Sequence, residues 1–162
     1  MKSLLIVIII LLSSISFSKE NSAVVLMYHR FGQPEHPSTN INKELFAKQM
    51  NYLKENKFNV LPLSNLIDIF ENNKPIPKKA VLITIDDGFK SVYTNAFSIL
   101  KELNFPFSVF VSTKYVSNSH NSDFMSWDML KELINNKGEI FNHSHDHKSL
   151  LNLSIKDARH TI

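Results

Sequence analysis

The chain contains no cysteine among its 162 residues. That excludes a disulfide framework, a thiolate zinc finger, a thiol nucleophile and a lipidated cysteine. Any metal site must therefore be built from histidines and carboxylates. Glycine is scarce, with three residues, and neither a GxGxxG turn nor a P-loop can be written. Charge of one sign is also lacking: Lys+Arg number 18 against Asp+Glu 15, a formal +3. The lysines are scattered and form no basic stripe, so no nucleic-acid partner is expected. What is present is apolar mass. Hydrophobic residues make up 43% of the chain, enough for a core and too much for wholesale disorder. The length suits one domain.

Residues 1–18 read as a targeting segment. Lys2 supplies a short positive start, residues 4–12 are an unbroken apolar run, and Ser16 and Ser18 bracket Phe17 in a small-x-small pattern. This is the pattern of a secretory signal peptide, expected to be cleaved after Ser18. The alternative is an uncleaved anchor, but the run is short against the roughly 20 residues of a span. The expected destination is periplasm, cell surface or medium, with no stable membrane insertion after cleavage. Residues 19–162 form the expected folded part.

That part alternates strand and helix signals. Residues 24–28 are a short apolar strand, and Pro34 and Pro37 mark a loop. Asn42 is placed to cap a helix with an apolar face of Leu45, Phe46, Met50 and Leu53. Residues 58–61 read as a strand ended by Pro62. Ser64 is expected to cap a helix bearing Leu66, Ile67, Ile69 and Phe70. Residues 80–85 are apolar on both faces, as in a central parallel strand. Val92, Ala96, Ile99, Leu100 and Leu103 form a helical stripe, residues 107–111 a strand, and Ser126 opens a helix ending near Gly138. Residues 139–141 are a short strand, and 154–162 begin another helix. This alternation predicts an α/β fold with parallel strands.

In such folds chemistry collects beyond the carboxyl ends of the strands. Three polar groups stand there: His29, Asp86-Asp87-Gly88, and His143. Adjacent acids repel each other unless a cation binds them, in which case one carboxylate can ligate and the other accept a proton. The competing reading is a pair of acids favouring a helix N-terminus. In His143-Ser144-His145-Asp146-His147, the outer histidines are four apart, so a helical turn or a tight loop can bring their rings together. A polar surface loop is the competing reading there. Ser144 occupies the position where a metalloprotease helix would carry Glu.

Together these motifs resemble the polysaccharide deacetylase family (NodB homology domain, carbohydrate esterase family 4). The resemblance runs from about residue 24 to the end, through Met27-Tyr28-His29-Arg30, Thr84-Ile85-Asp86-Asp87-Gly88, residues 107–113, Met125-Ser126-Trp127-Asp128 and residues 143–147. The Met-Tyr-His-Arg and Ser-Trp-Asp segments look most like the branch that deacetylates poly-N-acetylglucosamine. The resemblance implies a (β/α) barrel whose core motifs begin near residue 80. It also implies Asp86 as general base, and Asp87, His143 and His147 as ligands of a divalent metal, with zinc the expected ion. The implied substrate is an N-acetylglucosamine polysaccharide. His29 is a candidate for lining the sugar groove, or simply for a hydrogen bond in the core.

Two departures stand beside the resemblance. Ile85 replaces the usual aromatic residue between Thr and Asp. The family's later motifs, which supply an Arg that orients the base and a His acting as general acid, have no match after His147; Arg159 and His160 lie too close to it. The chain is therefore expected to form a partial barrel lacking its last strands, with an open edge along residues 139–141. A separate C-terminal fragment is a conceivable partner. The alternative function is an inactive remnant that binds metal or glycan without turnover, and His29 and His145 are conceivable substitute acids.

Overall fold

The computed structural model describes residues 22–116 and 123–162. The expected signal peptide over residues 1–18 lies outside the described residues. The central sheet is parallel. Strand β1 (Ala23–Tyr28) is followed by two short strands, β2 (Arg30–Phe31) and β3 (Asn40–Ile41), which pair with each other. Helix α1 (Lys43–Glu55), β4 (Asn59–Val60), α2 (Leu63–Glu71) and β5 (Ala80–Ile85) come next. A π-helical turn (Val92–Ala96) runs into α3 (Phe97–Glu102), then β6 (Phe107–Val111) and the short α4 (Thr113–Val116). The chain closes with α5 (Trp127–Ile134), β7 (Gly138–Asn142), a 3-10 turn (Leu150–Asn152) and α6 (Ile155–Thr161).

β5 is the axis of the sheet, and all six of its residues are buried, as their apolar run requires. β1 pairs along its whole length, Ala23 opposite Ala80 through Tyr28 opposite Ile85. The other edge is divided: β4 pairs with Ala80 and Val81, and β6 with Thr84 and Ile85. β7 lies outside β6. Alternation sorts the side chains by face. Val81, Ile83 and Ile85 join Phe46, Met50, Leu100, Phe107, Val109, Leu130 and Leu133 in the main core beneath α1, α3 and α5. Ala80 and Leu82 face Leu66 and Ile69 of α2 on the opposite side.

Among the described residues, β1 pairs only with β5, and β7 only with β6. The sheet is thus unclosed there, and Met27 of β1 is 64% exposed. No helix among the described residues is long and apolar enough to cross a membrane.

Two sequence expectations are corrected. Ser64 does not cap α2. Pro62 is the capping residue, its φ of −68° already set for helix entry. Ser64 sits inside the first turn, where its N–H and its hydroxyl both donate to the Glu139 carboxylate of β7. The stripe from Val92 to Leu103 is not one regular helix either. It opens with the π-helical turn, which brings buried Val92 and Ala96 onto the same core as Phe97 and Leu100. The strands β2 and β3 and the helix α4 are too short to carry a periodic signal.

Candidate metal centre

The parallel sheet delivers His29, Asp86, Asp87 and His143 to one end, as the strand-end argument requires. The Asp86 N–H donates to the Tyr28 carbonyl at 2.9 Å, extending the ladder one residue past β5. The chain then reverses. Asp87 and Gly88 both take left-handed backbone, with φ of 73° and 77°. Glycine meets the second at little cost. A Cβ on Gly88 would also stand 3.1 Å from Cγ1 of Val111, so the turn packs tightly on β6. The Met125 N–H donates to the Gly88 carbonyl and fixes the turn from outside.

The histidine segment is a tight loop, not a helical turn. The His143 N–H donates to the Val111 carbonyl at 3.0 Å, and the Ser112 hydroxyl donates to the His143 carbonyl. Ser144 and His147 occupy left-handed backbone, at φ 69° and 54°. The Ser144 hydroxyl accepts the His147 N–H at 3.1 Å, which folds the loop on itself. The two rings end 4.9 Å apart, centroid to centroid.

Nε2 of His143 and of His147 lie 3.5 and 3.1 Å from Oδ1 of Asp87. One potential ligand atom from each residue lies within 4.8 Å of the others. The Asp87 side chain is 14% exposed, and its Oδ1 has no hydrogen-bond partner among the described residues. A buried carboxylate oxygen left without a donor is costly. Ligands at about 2.0–2.2 Å on a tetrahedral ion stand about 3.4 Å from one another, and the two imidazole-to-Asp87 distances of 3.5 and 3.1 Å lie on either side of that value. The residues present therefore fit a divalent cation, which three protein ligands would leave with a coordination position to spare.

Asp86 stands apart from this triangle. Its Oδ2 lies 3.9 Å from Nε2 of His29, and both side chains are largely buried. His145 turns away, its Nδ1 sharing a hydrogen bond with the Thr113 hydroxyl. Tyr28, beside His29, donates to Gln49, and burial pushes its phenol up to about 12, so it stays neutral.

Sequence reasoning assigned no role to several neighbours of the site. A cavity of about 210 Å³ is lined by Asp87 and His147 together with Arg30, Phe89, Tyr115 and Phe124. The Arg30 guanidinium lies 3.4 Å from the Phe89 ring centroid, and Tyr115 stacks on Phe124. Asp146, inside the histidine motif, accepts hydrogen bonds from Lys148 and Thr161. The Lys148 contact, then the Thr161 hydroxyl, hold its pKa down at about 2. Apart from the Lys148–Asp146 contact, these depend on segments meeting in space.

A parallel α/β sheet with carboxylates and imidazoles gathered at its carboxyl end is an architecture on which metal-assisted hydrolysis can be built. The family follows from comparison with known proteins. Residues 73–162 match the polysaccharide deacetylase family model, and the chain belongs to that family. It is 30% identical over 149 residues to the poly-beta-1,6-N-acetyl-D-glucosamine N-deacetylase of Staphylococcus aureus strain MRSA252, covering 82% of this chain and 51% of the relative. The Staphylococcus epidermidis protein of the same name is 29% identical over 145 residues, with 79% and 50% covered. The chain spans about half the length of these curated relatives.

Among solved structures, the Streptococcus pyogenes deacetylase PplD in complex with acetate matches with a TM-score of 0.78 at 23% identity, covering 86% of this chain and 63% of that one. IcaB from Ammonifex degensii matches at 0.69 and 32% identity, with 78% and 54% covered. The fold is accordingly the NodB-type deacetylase α/β fold, of which this chain covers part.

Proposed function

We propose that the chain carries the metal centre and general base of an exported N-deacetylase that removes acetyl groups from an N-acetylglucosamine polysaccharide. The observation that carries this reading is the convergence of Asp87, His143 and His147 with Asp86 beside them. The likeness to the two staphylococcal deacetylases supports the substrate class. Residues 1–18 are read as the signal peptide and residues 19–162 as the deacetylase part.

Asp87, His143 and His147 would hold the ion, and zinc suits their two imidazoles and one carboxylate. When bound, a divalent cation supplies Lewis acidity, lowering the pKa of water and polarising the acetamide carbonyl. Asp86 is the general base. It is held at the strand end by its own N–H on Tyr28 and takes the proton of the attacking water. The acetyl group leaves as acetate, and the sugar nitrogen must gain a proton. His29, just past the end of β1, has its Nε2 3.9 Å from the Asp86 carboxylate; on this reading it lines the sugar groove and delivers a proton to the leaving amine. Phe89, Tyr115 and Phe124 form an aromatic wall beside Asp87 and His147.

The test is free-amine release from a β-1,6-linked N-acetylglucosamine oligomer by the full chain loaded with zinc. Release that disappears in Asp86→Asn supports the reading. Zinc bound with no release from any N-acetylglucosamine oligomer would leave a binding protein and overturn the catalytic half.

A further inference from the structure

We infer that Asp146 and Thr161 are positioning residues, through which α6 holds the histidine loop in its metal-binding shape. The inference rests on the metal-centre reading above. The loop has no helix or strand to shape it, and two of its non-glycine residues sit in left-handed backbone, a conformation that L side chains adopt at a cost. Such a loop keeps its geometry only if its surroundings hold it.

One side is held by the segment after β6, where the Thr113 and Lys114 N–H groups donate to the carbonyls of Ser144 and His145. The other side is held by the end of α6. The His145 N–H donates to the Thr161 carbonyl at 2.5 Å, and the Thr161 hydroxyl donates to the Asp146 carboxylate. Thr161 is thus joined to two consecutive loop residues, once by backbone and once by side chain. It is 3% exposed, and the Asp146 side chain 10%. Lys148, on the far side of His147, donates to the same carboxylate at 2.6 Å. His147 is therefore bracketed by a pair that closes around it. Asp146 is not among the residues whose ligand atoms converge, and its carboxylate is engaged by Lys148 and Thr161, so its acid is an anchor for the loop and not a fourth ligand. Groups that orient metal ligands from outside typically change affinity by about 10–100-fold when removed.

The experiment measures zinc affinity of the full chain by chelator competition, with the visible spectrum of the cobalt-loaded protein as a second readout. Asp146→Ala and Thr161→Val should each weaken zinc by about 10–100-fold and alter the cobalt bands. Thr161→Ser retains the hydroxyl and should restore both readouts to near wild type. Leu66→Ala, in the separate core beneath α2, should lower thermal stability and leave zinc affinity within about twofold. The inference is overturned if Asp146→Ala and Thr161→Val bind zinc as tightly as wild type, or if Leu66→Ala weakens it equally. If Asp146→Ala fails to fold, the Thr161→Val and Thr161→Ser pair decides alone. Failure of the wild-type chain to bind zinc would instead overturn the metal-centre reading.

Discussion

Oδ1 of Asp87 lies 3.1 Å from Nε2 of His147, and no group among the described residues donates a hydrogen bond to it. A carboxylate oxygen buried beside two ring nitrogens is poorly satisfied by protein alone. A cation resolves this, because it accepts lone pairs from all three residues together. The fold invests strained backbone at Asp87, Ser144 and His147 to bring these atoms together.

Metal should therefore stabilise the fold measurably. An ion that binds only the native state at 100 times its Kd adds about 2.7 kcal/mol. For a chain of this size that is about 5–10 °C in Tm. Scanning calorimetry of the chelated chain, before and after zinc is restored, checks this. Coincident melting curves would count against the site.

Asp86→Asn separates base from ligand. The amide cannot accept a proton, so deacetylation should fall by about 10²–10⁴-fold. Zinc stoichiometry should not change, since Asp86 lies outside the ligand triangle. Loss of zinc in this variant would mean that Asp86 ligates.

Glu139 ties β7 to the first turn of α2 and to Ser108 of β6. Pro62 offers the helix no capping side chain, so the carboxylate serves as a cap delivered from a distant strand. Glu139→Ala should cost about 1 kcal/mol, the usual worth of a cap. Urea unfolding of the variant measures it, and an unchanged midpoint would show the contact to be idle.

Asp146 gives a pH signature. Its pKa is lowered from 3.8 to about 2 by Lys148 and Thr161. Because the folded value lies below the unfolded one, its contribution is complete above about pH 4. It is lost as pH falls through about 2. The carboxyl carbon of Asp146, followed by NMR, should titrate near 2 in the folded chain and near 4 in Thr161→Val/Lys148→Ala.

Much of this was legible in the sequence because its signals are local. The apolar run of β5, the Asn42 and Ser126 caps and the i, i+4 histidines each follow from spacing within a few residues. The strand-end rule then placed Asp87 and His143 on one face without any knowledge of contacts. Ser64 misled because a serine before an apolar stripe looks like a cap, while Pro62 already sets the entry angle. The π-helical turn at Val92 leaves the apolar stripe almost unchanged, so periodicity cannot reveal it. Thr161 on Asp146, and Arg30 over Phe89, join segments far apart in the chain and have no signature before the fold exists.

The most direct test of the central claim is metal content and zinc X-ray absorption of the purified full chain, beside Asp87→Ala, His143→Ala and His147→Ala. The account predicts one zinc per chain, with two imidazoles and a carboxylate oxygen at about 2.0–2.2 Å, and no stoichiometric zinc in any of the three variants. Full occupancy in any one of them, or a wild-type spectrum without histidine scattering, would contradict it.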